Sequence, residues 1–181
     1  MIDDFIAVLE AGARLNLISF DEATVRAPHH DVTMFDADAL AADATRLRAV
    51  AARLDAGPVR EAGRTFGDDW HGVGGDAALT VARSTTSRVA DAITELSACA
   101  AELDRTVTAV DDILARYRGA MSTVCDPTIV GQGVSSADDV RTELIARMEY
   151  ADAAGRTASA ALVDVARVSA SSGELVLAGD R

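Results

Sequence analysis

The sequence predicts an all-α protein, and three observations carry that prediction. From Ile93 the apolar positions Leu96, Ala100, Leu103, Val107, Val110, Leu114, Tyr117 and Met121 follow at alternating steps of three and four, nearly a heptad seam. No segment shows the strict apolar/polar alternation of a half-buried strand. The composition is rich in alanine, which favours helix and close helix–helix approach, and only 4 % of residues are aromatic. The expected architecture is a long antiparallel helical hairpin with additional N-terminal and C-terminal helices.

The elements follow in order. Over residues 2–18, Ile2, Phe5, Ile6, Leu9, Ala13 and Leu17 recur at three and four, which predicts a short amphipathic helix. Periodicity is lost over 19–35. Pro28-His29-His30-Asp31 marks a connection, and Phe20, Val25, Val32 and Phe35 read as anchors of an irregular strap, so residues 1–35 form an N-terminal appendage. The first long helix starts near Asp36 or Asp38, with Thr33 or Asp36 as N-cap, and carries Leu40, Ala44, Leu47, Ala51 and Leu54 on one stripe. Gly57-Pro58 interrupts it, because proline removes a helical hydrogen bond and clashes with the preceding turn. The stripe resumes through Val59, Ala62, Phe66 and Trp70.

A second long helix begins around Gly75 or Asp76 and runs to about Met121, roughly 45 residues or 65–70 Å at ~1.5 Å per residue. A helix of that length must lie against others along most of its course. Leu40, Leu47 and Leu54 are expected to face its seam. Residues 122–135, with Cys125-Asp126-Pro127 and Gly131-Gln132-Gly133, read as a linker. A third helix, 136–172, opens on Ser136-Ala137-Asp138-Asp139, a capping box with Asp in place of Glu. Its apolar face is Val140, Leu144, Met148, Ala151, Gly155, Ala158, Leu162 and Val165, and Ser171-Ser172-Gly173 leads into a tail over 173–181.

Charge and cysteine usage narrow the function classes. All 17 basic residues are arginine against 29 acids, a net charge of -12. That balance argues against nucleic acid and against an anionic membrane surface, both of which need clustered cations. No apolar run approaches the roughly 20 residues of a membrane span, and the acidic start Met1-Ile2-Asp3-Asp4 is unlike a general secretory signal. Cys99 and Cys125 make no disulfide framework. On one unbroken helix their Cα atoms stand about 35–40 Å apart, so Cys99 is expected as a small buried residue and Cys125 as a loop thiol.

Candidate chemistry is sparse. His29-His30-Asp31 lacks partners at a zinc-site spacing and is expected to be a solvated loop. The run Gly72-Val73-Gly74-Gly75 has neither the lysine nor the Ser/Thr of a phosphate loop. Asp68, Asp69 and Asp76 flank it without a predicted pocket, and no nucleophile motif occurs. The sequence therefore predicts no enzyme, no cofactor and no metal site.

What remains is the break between the two long helices, Asp68-Asp69-Trp70-His71-Gly72-Val73-Gly74-Gly75-Asp76, which holds the only tryptophan beside three glycines. Trp70-x-Gly72 between two such helices, continuing as Gly72-Val-Gly-Gly-Asp-Ala-Ala, resembles the WXG family, helical-hairpin substrates of type VII secretion. The resemblance covers 36–121, about half the chain.

It implies a hairpin that pairs as a homodimer or heterodimer into a four-helix bundle, and export without a cleaved signal by a membrane-ATPase machine in actinobacteria or firmicutes. The alanine- and arginine-rich composition, typical of a GC-rich genome, fits actinobacteria. Trp70 and Gly72 would be the turn-end recognition element, and Leu96, Leu103, Val107, Val110 and Leu114 the partner-binding seam. The partner would be another WXG-like helical protein or a second copy, through which the secretion ATPase is met. The protein would be cytoplasmic before export and secreted or envelope-associated after it.

The family's export address, a tyrosine with an acid four positions on, is not matched. Tyr117 is followed there by Met121 and Tyr150 by Ala154. A cytoplasmic helical adaptor or scaffold, and the N-terminal delivery module of a larger toxin, are the alternatives.

Overall fold

The computed structural model describes residues 1–55, 72–125 and 136–178. Among them every regular element is helical and there is no strand. The helices are α1 (Ile2–Arg14), α2 (Glu22–Arg26), α3 (His30–Met34), α4 (Ala37–Asp55), α5 (Val73–Val124) and α6 (Ala137–Ala178), with a 3-10 turn at Ala27–His29. The Gly57-Pro58 interruption, the resumed stripe through Trp70 and most of the 122–135 linker lie outside the described residues. The described part of that linker begins as helix, since α5 continues through Val124.

The chain divides into two compact units, 1–36 with 108–168 and 37–107 with 169–181. The division cuts across the expected 36–121 hairpin, because α5 contributes to both units.

The first unit holds the larger core. Ile2, Phe5, Ile6 and Leu9 of α1 are buried on the anticipated stripe, with Val110, Ile113, Leu114, Tyr117, Met121 and Val124 of α5 and Leu144, Ala151, Ala158 and Leu162 of α6. Full burial of a side chain such as Phe5, Leu9 or Met121 contributes about 1.5–3 kcal/mol relative to exposure. Helix α1 ends at Arg14, short of the expected 18, because Asn16 takes a left-handed φ of 56°. Asparagine tolerates that conformation, and the Asn16 and Leu17 amides donate back to Ala13 and Gly12 carbonyls at 2.9 and 3.1 Å. Gly12 itself is a close-approach position, since a Cβ there would stand 2.6 Å from Leu144 Cδ1.

The strap over 19–35 is not irregular. It folds as α2, the 3-10 turn and α3. Asp21 caps α2 by accepting from the Thr24 amide at 2.8 Å and its hydroxyl at 2.6 Å. Arg26 bridges Glu22 on its own helix and Asp3 on α1, at 2.7 and 2.8 Å.

Helix α6 begins as its sequence predicts. The Asp139 amide donates to Ser136 Oγ at 3.3 Å, and that hydroxyl donates to the Asp139 carboxylate at 3.0 Å. The helix then runs through Ser171-Ser172-Gly173 to Ala178. Serine and glycine lower helix propensity by up to ~1 kcal/mol each without terminating a helix. Arg147 of α6, 5 % exposed, donates to the Val124 carbonyl at 2.9 Å and to Glu143 at 2.8 Å. One of the orphan carbonyls at the C-terminal end of α5 is thus satisfied from a neighbouring helix.

The second unit is thinner. In α4 the buried residues are Ala44 and Ala51. Arg48 of α4 pairs with Asp104 of α5 at 2.8 Å, and Thr106 hydrogen-bonds Ser169 at 2.7 Å. Cys99, expected inside, is exposed. Ala100 is the buried residue of that turn, and one residue along a helix is a rotation of about 100°, enough to turn Cys99 out of the seam.

Candidate interaction surface

The sequence-predicted turn is represented by Gly72, because Trp70 lies outside the described residues. Gly72 is exposed, with a φ of 104° that side-chain-bearing residues rarely adopt and open space where a Cβ would be. Its carbonyl accepts from the Asp76 amide at 3.0 Å and so opens α5. Glycine is required here by backbone conformation, not by packing.

The predicted seam divides by unit. Leu96, Leu103 and Val107 are half-buried in the second unit, as are Leu40 and Leu47 of α4. Leu54, expected on the same stripe, is 40 % exposed, and Val50 and Val81 are 45 % and 66 % exposed. Val110 and Leu114, by contrast, are buried core of the first unit. The heptad-like seam is therefore one periodic signal serving two ends: a closed core over 110–121, and a partly open face over 96–107.

The first unit also has a groove of about 460 Å³ between α5 and α6. Ile113 and Tyr117 line one side. Ala153, Ala154, Ala158 and Ala161 line the other, with Tyr150 and Arg116 at hand for polar contact. The alanines of α6 divide between packing and surface, with Ala151 and Ala158 buried and Ala153 exposed.

Sequence reasoning missed one polar site. His29, expected in a solvated loop, is 1 % exposed, while His30 and Asp31 are exposed. Pro28 sits in the first turn of the 3-10 segment, where its missing N–H is harmless, and its fixed φ suits that segment. His29 Nδ1 lies 3.0 Å from the Tyr117 hydroxyl, with ring centroids 5.7 Å apart. Nε2 has no hydrogen-bond partner among the described residues.

Gly155 makes room for the ring. A Cβ there would stand 2.8 Å from both His29 Nδ1 and the Pro28 carbonyl oxygen. Burial lowers the His29 pKa from its usual 6.5, opposed by the nearby Asp152 carboxylate. Burial likewise raises the Tyr117 phenol. The sequence signals were available in part: a glycine on the buried stripe of α6, and a histidine beside a proline. Their pairing is tertiary and has no local trace.

Among the described residues no group of three or more His, Cys, Asp or Glu side chains could hold a metal ion. No described helix is long and apolar enough to cross a membrane. Comparison with protein-family models, with curated proteins and with solved structures found no match for this chain.

Proposed function

We propose that the chain is a non-enzymatic assembly protein that buries its open α4–α5 stripe against a helical partner, either a WXG-like hairpin protein or a second copy, for export by type VII secretion. The exposure pattern of α4 carries this reading. Its buried residues are Ala44 and Ala51 alone, while Val50 and Leu54 stand 45 % and 40 % exposed and Leu40 and Leu47 are half-open. An amphipathic helix that leaves its larger apolar side chains open is suited to a partner that completes the burial.

In this reading residues 36–121 act as an antiparallel hairpin, with Trp70 and Gly72 at its tip as the recognition element. The export address that Tyr117 and Tyr150 do not supply would sit on the partner, which would also provide the contact to the secretion ATPase. The same missing address favours, as second reading, an adaptor that stays in the cell.

Co-expression with neighbouring small helical proteins, followed by native mass measurement, tests the pairing. A one-to-one complex or a homodimer is expected, weakened at least tenfold by Leu47→Asp or Leu103→Asp. A chain that stays monomeric alone and with every such protein would overturn it. Secretion from the native strain with and without the ATPase tests the export half, and retention in both strains would leave the adaptor.

A further inference from the structure

We propose that His29 is an acid-operated latch, whose protonation releases the strap Glu22–Met34 from the helices of the first unit. The geometry supplies both halves of the device. The strap is pinned by a ring that is almost wholly buried, hydrogen-bonded to one buried phenol, and fitted against a glycine that leaves no spare room. The same ring has a nitrogen with no partner among the described residues.

In the neutral ring one nitrogen carries a proton and the other a lone pair, and Tyr117 satisfies Nδ1 in either tautomer. A proton taken from bulk water makes both nitrogens donors. Tyr117 can accept from Nδ1, but Nε2–H then has no acceptor among the described residues and the charge is buried with the ring. An undocked strap exposes the ring to water, where the cation is solvated at no such cost.

The surrounding charges do not cancel this. On α6, Asp152 attracts the cation, but both of its oxygens already accept from Arg156, at 2.8 and 2.9 Å. Glu149 of α6 is exposed and lines a cavity of about 220 Å³ that His29 and Thr24 also line. From α5 the facing group is the Tyr117 phenol. On the strap itself Glu22 and Arg26 pair with each other, and Arg26 also with Asp3 of α1. His30 is exposed, and Asp31 accepts from Ser159 of α6. The balance agrees with the sign of the shift, since desolvation outweighs the Asp152 attraction and the docked pKa lies below 6.5.

The released strap therefore binds more protons than the docked one. Docking is at full strength above pH 6.5 and weakens as pH falls below it, by up to tenfold in the opening constant per pH unit, until the docked pKa is reached.

Amide hydrogen exchange of residues 22–34 in the full chain, from pH 7.5 to 5.0 and corrected for intrinsic exchange, reads this directly. The opening constant should rise toward tenfold per unit below pH 6.5, ahead of α6 residues 139–168. His29→Gln should abolish the pH dependence. Tyr117→Phe should raise opening at pH 7.5 and keep the slope. A flat profile in the unchanged chain overturns the proposal, and so does a His29→Gln chain with the same slope. Should His29→Gln fail to fold, the profile of the unchanged chain and an NMR titration of the His29 ring decide, with a ring pKa at or above 6.5 in the docked state as the refuting result.

Discussion

Replacing Gly155 by alanine probes how the strap is seated, and the size of the effect follows from distances already given. The new Cβ would lie 2.8 Å from a backbone carbonyl oxygen and 2.8 Å from the ring of a buried histidine. Neither atom is the free end of a flexible side chain, so the strap or α6 must shift. Overpacking of this kind costs about 1–3 kcal/mol. Against it stands the helix propensity of alanine over glycine, about 1 kcal/mol in a helix interior.

The net expectation is a loss of about 0–2 kcal/mol. Gly119→Ala in α5 is the matched control. Gly119 is exposed, with nothing within 4 Å of its would-be Cβ, so the same substitution there should gain about 0.5–1 kcal/mol. The difference between the two variants isolates the steric contact. Urea denaturation followed by circular dichroism measures both. Amide exchange over 139–168 reads the first unit without requiring a two-state transition of the whole chain. If Gly155→Ala is as stable as Gly119→Ala, the close packing of His29 on α6 is refuted.

Arg147→Met keeps the buried stem and removes the charge-assisted bond to Val124. It should cost about 1.5–3 kcal/mol and speed amide exchange in the last turn of α5, and unchanged exchange there would show that the carbonyl finds another donor. Ser136→Ala removes the cap of α6 and should cost about 1 kcal/mol, seen as fraying of residues 137–140 in amide exchange. Iodoacetamide at pH 8, followed by mass spectrometry, should label the exposed Cys99 before Cys125. The latter is half-buried, its thiol is pushed up by burial, and its Sγ lies 3.4 Å from the Met1 carbonyl.

Much of the helical order was legible because it is local. The stripe of α1 (Ile2, Phe5, Ile6, Leu9), the 110–121 part of the α5 seam and the Ser136 cap are written in local spacings, and the structure buries or bonds those residues. The ends were less legible. Helix α1 stops where Asn16 turns left-handed, a choice that spacing does not encode. The strap shows no period in the sequence because α2 and α3 are five residues each, too short to display one.

The largest miss, buried His29, depends on Tyr117 and Gly155, which are 88 and 126 positions away in the chain. Periodicity along one segment carries no information about such a meeting. The seam showed a different limit. Its regularity from Ile93 to Met121 identified apolar positions, but not that Val110 and Leu114 would be core while Leu96 and Leu103 stay half-open. Burial depends on what lies opposite, and α4 offers only two alanines fully.

The grip of Arg147 on the Val124 carbonyl makes the first unit a gauge of length. Inserting or deleting one residue between Leu114 and Met121 would rotate everything after it by about 100° and advance or retract it by ~1.5 Å. Met121 would leave the core and a different carbonyl would meet the guanidinium. Substitutions of similar size can be absorbed there, but changes in residue number cannot. Over long evolutionary times this stretch should accept altered letters and reject altered spacing, whereas the open faces of α4 are free of that metric constraint.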